Sequence, residues 1–268
     1  PDFFGQSLSV LPAVETLAVV INAHMGIEMV ARRMMDRARE RKLCRMIIVN
    51  KIDGDHVDLE SLLSQIQETF GSECLPINLP SHGRKDVVDV FDKAEGEVDF
   101  SDVATAHTAI VDQVVEVDEE LMARYLEQGE VSPEQLHAPF EKALREGHLI
   151  PVCFTSAKEG VGVDDLLEIM VKMLPNPTEG NPRPFVKGDP ENPKAEEFHA
   201  TPDPKQHVLA HVFKITTDPF VGKLALFRIH QGTITKDSQL FIGEASKPFK
   251  VGHLFKVHGK EHKEVDAG

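Results

Sequence analysis

Two short runs of β-branched and apolar residues, 16–22 and 45–50, constrain the fold of this chain more than any other feature. Such runs are typical of strands buried on both faces of a parallel sheet. Residues 27–43 between them place apolar side chains at helical spacing and basic side chains on the other positions. A third apolar run, 149–154, precedes a predicted helix over 163–173, which ends before Pro175. The sequence therefore predicts an α/β domain in which helices connect parallel strands.

A second, all-β domain is predicted after a proline-rich segment. Residues 175–204 hold eight of the 17 prolines, which is the composition of an extended linker. Beyond them, short strand-like runs separated by turn-forming residues occupy 208–215, 224–229, 239–242 and 249–257. The sequence therefore predicts a linker over 176–205 and a β-barrel domain over 206–268 that is truncated before its last strands. We expect the side chains of Phe241, Phe249 and Phe255 to lie in the core of that domain.

The acidic residues are concentrated in one segment. Between 55 and 148 there are 22 acidic and 6 basic residues, a net charge of −16, whereas the whole chain carries −15 and the remainder therefore +1. Within this segment, Ser132-Pro133-Glu134-Gln135 predicts the start of a helix with a capping box. We predict a compact acidic α+β subdomain over 54–148, inserted into the α/β domain formed by 1–53 and 149–175.

Asp53 indicates the chemistry of a possible ligand. It belongs to Asn50-Lys51-Ile52-Asp53, directly after a predicted strand, where a purine base can lie at the carboxyl edge of a parallel sheet. A carboxylate there can accept hydrogen bonds from both the ring N–H and the exocyclic amine of guanine, which adenine cannot supply in that arrangement. Because such sites reject an analogue lacking the donor by about 10⁴ to 10⁵, Asp53 is the predicted determinant of guanine specificity.

The motif at 50–53 resembles the guanine-recognition motif of GTPases. The resemblance implies that Asn50 ties neighbouring loops together. It also implies that the aliphatic part of Lys51 lies over the base and sugar. GTP and GDP are therefore the implied ligands.

A second loop, Thr155-Ser156-Ala157-Lys158, follows the third predicted strand and resembles the other base-contacting loop of GTPases. The resemblance implies that the Ser156-Ala157 turn faces guanine and that Ala157 donates its backbone N–H to the guanine carbonyl. Thr155 stands where a glycine is expected and Lys158 where an apolar or aromatic residue is expected. The resemblance therefore assigns no role to Lys158.

About a hundred residues separate the two loops, whereas compact GTPases join them with roughly one helix and one strand. An insertion at this place is similar to that of elongation factor G, and segments 119–126, 132–148 and 213–223 resemble the same family. The chain is thus identified as a member of the elongation factor G family of translational GTPases. Residues 23–28 depart from the Gly-Val-x-x-Gln pattern expected there, which indicates a divergent paralogue.

The resemblance implies a partner of the ribosome. The odd number and wide spacing of the cysteines favour a reducing cytoplasm, the lack of an apolar run of about eighteen residues argues against a membrane role, and we expect the fragment to be monomeric. Residues 223–263 contain eight Lys or Arg and three acidic residues, which suits ribosomal RNA, and the acidic subdomain is expected to meet the ribosomal stalk protein. Three functions remain open: a ribosome-stimulated translocating GTPase, a paralogue with another ribosomal task such as recycling, rescue or regulation, and a GTP-binding interaction protein that does not hydrolyse GTP.

No G-x-x-x-x-G-K-[ST] phosphate-binding sequence occurs in the 268 residues. We therefore expect an internal piece of a GTPase in which the Mg²⁺ and phosphate ligands lie in the intact parent, outside this segment. By itself the piece is expected to hydrolyse no GTP and to bind guanine nucleotide only at about millimolar concentration. The three cysteines are widely spaced and predict no metal site.

Overall fold

The computed structural model describes residues 3–128, 131–189, 191–192, 194–218, 222–243 and 245–268. The chain divides into two units, Pro1–Asn181 and Pro182–Gly268. The helices of the first unit are α1 (Phe4–Val10), α2 (Met29–Glu40), α3 (Leu59–Phe70), α4 (Val103–Val115), α5 (Glu119–Gln128), α6 (Pro133–Glu146) and α7 (Val163–Met173). Its strands are β1 (Thr16–Asn22), β2 (Cys44–Asn50), β3 (Cys74–Pro76), β4 (Asn78–Ser81), β5 (Asp86–Asp89) and β6 (Ile150–Thr155).

A four-stranded sheet in the order β1-β2-β6-β3 forms the centre of the first unit, and every neighbouring pair in it is parallel. This confirms the predicted α/β class with a parallel sheet. All residues of β6, and all of β2 except Asn50, are buried, as expected for strands covered on both faces. The same expectation for 16–22 is wrong, because only Val19 and Ile21 of β1 are buried and Val20 is exposed. The register pairs Asn22 with Asn50 and Asn50 with Thr155, so β1, β2 and β6 end at one edge of the sheet.

The inserted segment is not separate from this sheet. Strand β3 lies within the range predicted as the insert, yet it pairs with β6, Cys74 being opposite Ile150. One continuous core includes side chains from the sheet and from α3, α4 and α6. The packing therefore has no break at residue 54. Helix α3 packs in the same core and β3 adds a strand to the parallel sheet before the chain enters the β4–β5 hairpin.

The remainder of the insert consists of that antiparallel hairpin and three helices. Asp102 caps α4 by accepting a hydrogen bond from the backbone N–H of Thr105 at 2.8 Å. Helix α6 begins at Pro133, and the Gln135 side chain accepts from the Ser132 N–H at 3.1 Å, so the predicted capping box is confirmed. Local capping chemistry thus fixes both helix starts, of which the start of α6 was predicted from the sequence.

The second unit contains antiparallel strand pairs. Its strands are β7 (Phe185–Lys187), β8 (Glu196–Phe198), β9 (Leu209–Asp218), β10 (Gly222–Gln231), β11 (Gln239–Leu240), β12 (Phe249–Lys250), β13 (Phe255–His258) and β14 (Glu261–Glu264). They pair as β7 with β8, β9 with β10, β11 with β12 and β13 with β14. The part of the predicted first hairpin formed by Pro219, Phe220 and Val221 lies outside the described residues.

Three expectations for the second unit need correction. Segment 176–205 is not simply an extended linker, because β7 pairs with β8 and the Phe185 ring lies 5.4 Å from the His230 ring. The run predicted over 249–257 is two strands, since β12 and β13 pair with different partners. Phe241 and Phe249 are 64% and 44% exposed, respectively, so neither lies in a core. Of the helices in the described ranges, none is long and apolar enough to span a membrane.

Candidate guanine-binding site

The two predicted motif loops meet at the carboxyl edge of the parallel sheet. Asp53 and Ser156 are 103 positions apart in the chain, yet the Ser156 hydroxyl donates a hydrogen bond to Asp53 Oδ1 at 2.5 Å. Asn50 and Ala157 are joined in the same way, since Asn50 Oδ1 accepts from the Ala157 N–H at 3.0 Å. The fold therefore brings four of the five predicted guanine-binding residues into two direct contacts.

Ile52 anchors the first loop. Its side chain is fully buried, and its N–H donates to the Thr155 carbonyl oxygen at 3.2 Å. The Thr155 hydroxyl in turn donates to the Val49 carbonyl at 3.4 Å. Because Ile52 points into the core, the residues on either side of it, Lys51 and Asp53, are exposed. The burial of one apolar residue thus places a carboxylate and an ammonium group at the surface.

Asn50 holds both loops through one atom. Its Oδ1 accepts from the Lys51 N–H at 2.8 Å as well as from Ala157. The resemblance implied that the Ala157 N–H donates to the guanine carbonyl, but here this N–H already has Asn50 as its acceptor. A guanine carbonyl at this position would share the N–H with Asn50 or displace the amide oxygen. The bond that ties the two loops and the implied contact with the base therefore both use the Ala157 N–H as donor.

Ser156 stabilises the ionised form of the Asp53 carboxylate. The Ser156 side chain is buried, and its oxygen also accepts from the Glu159 N–H at 3.3 Å. The hydrogen bond from Ser156 lowers the pKa of Asp53, and the positive charge of Lys158 lowers it further. Asp53 is exposed and is therefore an ionised acceptor at neutral pH. This is the state that two hydrogen bonds from guanine require.

The two lysines of the loops differ in their surroundings. Lys51 is exposed and has a φ of 68°, a left-handed conformation that non-glycine residues rarely adopt. Lys158 is exposed and forms a 2.8 Å ion pair with Glu159, which raises the pKa of Lys158. Lys158 thus contributes positive charge beside Asp53, and its ammonium group is directed to its neighbour in the chain.

Two residues that contact the first loop were not among the predicted site residues. The His24 ring, from the loop after β1, packs so closely on Gly54 that a Cβ at Gly54 would lie 1.8 Å from His24 Nε2. From the insert, Arg84 Nη1 donates to the Gly54 carbonyl at 2.8 Å. The unusual sequence at 23–28 was a signal for His24. No signal existed for Arg84, because its contact depends on the placement of the β4–β5 hairpin.

Comparison with known families agrees with this geometry. Residues 1–176 match the model of the elongation factor Tu GTP-binding domain, and residues 207–267 match elongation factor G domain 2. The chain belongs to the elongation factor G family of translational GTPases. The predicted family and the predicted order of a GTPase domain followed by a β domain are thereby confirmed.

A solved protein of similar fold comes from Thermus thermophilus and is known from its crystal structure. It superposes with a TM-score of 0.75 and 29% sequence identity, over 100% of this chain and 39% of the other. The present chain therefore spans about two fifths of the length of the solved protein.

Proposed function

We propose that this chain supplies the guanine-specific part of the nucleotide site in a longer, ribosome-associated GTPase. The observation that carries the proposal is the direct contact between the two loops, Ser156 to Asp53 at 2.5 Å and Asn50 to Ala157 at 3.0 Å. These bonds hold an ionised, exposed carboxylate beside a backbone donor. That combination is complementary to one edge of guanine and leaves adenine with unpaired groups.

Each residue has a separate task in this proposal. Asp53 accepts from the ring N–H and the exocyclic amine of guanine, and Ser156 orients Asp53. Ala157 donates to the guanine carbonyl, sharing its N–H with Asn50, which keeps the loops together. The stem of Lys51 covers the base. Lys158 contributes charge that favours ionised Asp53 and makes no base contact.

The ligands are GTP and GDP, with Mg²⁺ and the phosphates held by residues outside this segment in the intact parent. The support is that the 268 residues contain no G-x-x-x-x-G-K-[ST] sequence. Binding by this segment alone then depends on base contacts, so we expect a dissociation constant of about millimolar and no hydrolysis. A micromolar dissociation constant measured on the 268-residue chain would contradict this expectation.

The ribosome is the proposed partner. Eight Lys or Arg against three acidic residues over 223–263 favour contact of the second unit with ribosomal RNA phosphates. Lys236 pairs with Asp266 at 3.8 Å and Lys250 pairs with Asp237 at 2.8 Å, so the partner carboxylates partly compensate these two positive charges. The acidic insert, with a net charge of −16, is repelled by RNA and is proposed to meet the protein stalk of the ribosome instead.

The test is GTP hydrolysis by the full-length protein with and without ribosomes, in the wild type and in Asp53→Asn. The proposal is supported if ribosomes stimulate GTP hydrolysis by the wild type and if Asp53→Asn abolishes this stimulation. Xanthosine triphosphate is the matched control, because the amide introduced by Asp53→Asn can donate to the xanthine carbonyl that replaces the guanine amine. Recovery with this nucleotide would show that the protein remains folded. Hydrolysis indifferent to ribosomes would indicate another partner, and guanine binding without hydrolysis would indicate the binding-protein alternative.

A further inference from the structure

Through Asn78, the β4–β5 hairpin of the insert contacts the strand that leads into the second guanine-site loop. This side chain is fully buried, and both of its polar atoms bond to the backbone of Phe154. Nδ2 donates to the Phe154 carbonyl at 3.2 Å, and Oδ1 accepts from the Phe154 N–H at 2.7 Å. Phe154 lies two residues before Ser156. One end of the hairpin is therefore fastened to the strand that leads into this loop.

The turn of the same hairpin contacts the first loop. Arg84 is partly buried, and its Nη1 donates to the Gly54 carbonyl at 2.8 Å. Gly54 follows Asp53 directly. A single hairpin thus touches the chain immediately after Asp53 and immediately before the Ser156 turn.

The hairpin turn is itself held in place. His82, Gly83 and Arg84 have φ values of 52°, 68° and 67°, and two of these residues are not glycine. Asp99 supports this turn, because its two carboxylate oxygens accept from the Gly83 and Arg84 N–H groups at 2.8 and 2.6 Å. A left-handed turn costs conformational energy and persists where such contacts determine it. The guanidinium of Arg84 therefore starts from a fixed backbone.

Gly54 is restrained on its other sides as well. Its N–H donates to the Lys51 carbonyl at 3.2 Å, and the His24 ring occupies the place of a Cβ. The carbonyl that Arg84 holds is consequently part of a short hydrogen-bonded turn that the His24 ring covers. Loss of the Arg84 bond releases one of the restraints on the residue that follows Asp53.

We propose that the β4–β5 hairpin is a brace for both guanine-recognition loops and that Arg84 is a positioning residue for guanine specificity. Arg84 acts through Gly54 on the orientation of Asp53 and makes no nucleotide contact. The inference rests on the proposed role of Asp53. This bracing role also couples the insert to the nucleotide site. A partner that shifts the hairpin changes the affinity for guanine, and guanine binding changes the affinity for that partner by the same factor.

The test compares binding of guanosine and inosine diphosphates to the full-length protein. Inosine lacks the exocyclic amine, so the ratio of the two dissociation constants reports the contact with Asp53. A general loss of folding lowers both affinities together and leaves the ratio unchanged. In Arg84→Ala we expect the preference for guanosine diphosphate to fall by about two- to thirtyfold, the range for residues that modulate a site without contacting its ligand.

Two variants serve as controls. Arg84→Lys retains a donor for the Gly54 carbonyl and is expected to retain most of the preference. Arg33→Ala removes an exposed arginine from α2 and is expected to leave the ratio as in the wild type. A ratio unchanged in Arg84→Ala, while Asp53→Asn abolishes the preference, overturns the brace and leaves the proposed function intact. A ratio unchanged in Asp53→Asn overturns both.

Discussion

The tie between the two loops through Asn50 yields a quantitative prediction. Asn50→Ala removes the oxygen that accepts from Lys51 at 2.8 Å and from Ala157 at 3.0 Å. A neutral hydrogen bond contributes about 0.5–1.5 kcal/mol, so two contribute roughly 1–3 kcal/mol. Because Ala157 is exposed, water can replace the lost acceptor of its N–H. The expected loss of local stability therefore lies in the lower half of this range, at about 1–2 kcal/mol. Since 1.4 kcal/mol corresponds to a factor of ten, local opening should increase by roughly 5- to 30-fold.

Hydrogen exchange measured by NMR on the 268-residue chain tests this value. The Ala157 amide should exchange roughly 5- to 30-fold faster in Asn50→Ala. The Ile52 amide, which donates to Thr155 at 3.2 Å, is an internal reference because its acceptor does not involve Asn50. Asn50→Asp is the matched control, since a carboxylate still accepts from both N–H groups. Unchanged exchange of Ala157 in Asn50→Ala, or equal acceleration in Asn50→Asp, would refute the assignment of Asn50 as the tie.

Three further substitutions test the same loops. Ser156→Ala removes the main cause of the lowered pKa of Asp53, so this pKa should rise toward the ordinary carboxyl value when the carboxyl carbon is titrated by NMR. Because the folded pKa is below the unfolded one, wild-type Asp53 stabilises the fold above the unfolded pKa and loses this contribution as pH falls through the folded pKa. Ser156→Ala should therefore reduce the acid sensitivity of stability, and an unchanged titration would contradict this. Gly54→Ala places a Cβ 1.8 Å from His24 Nε2, but the exposed His24 ring is the end of a flexible side chain and can rotate away, so Tm should change little; a large loss of Tm that is restored by adding His24→Ala would contradict this. Ile52→Ala empties a fully buried position and should cost about 2–5 kcal/mol of unfolding free energy in urea titrations, so a cost below about 1 kcal/mol would contradict its anchoring role.

Strand identity in the first unit could be predicted from the sequence. The apolar runs that become β2 and β6 are buried almost throughout, as their local composition predicts. The run that becomes β1 was also recognisable as a strand, but only Val19 and Ile21 in it are buried. The start of α6 at Ser132-Pro133 was equally accessible, because capping chemistry acts over three or four residues.

Pairing partners in the second unit were less accessible. The residues of β7 and β8 have a linker-like composition, and only their mutual pairing makes them strands. The break between β12 and β13 arises because they pair with different strands, β11 and β14. Strand pairing depends on neighbours that are distant in sequence, so propensity alone does not define it.

By itself, the sequence determined the chemistry of the site. Asp53 after a buried strand and the Ser156-Ala157 turn after another already specify an acceptor and a donor at the carboxyl edge of a parallel sheet. The tertiary structure decided how these groups are connected. The Asp53–Ser156 bond, the use of the Ala157 N–H by Asn50 and the contact of Arg84 with Gly54 span 103, 107 and 30 residues of chain, respectively. The first two contacts depend on the parallel pairing of β2 with β6, and the third depends on how the insert packs against the sheet; no local pattern encodes either.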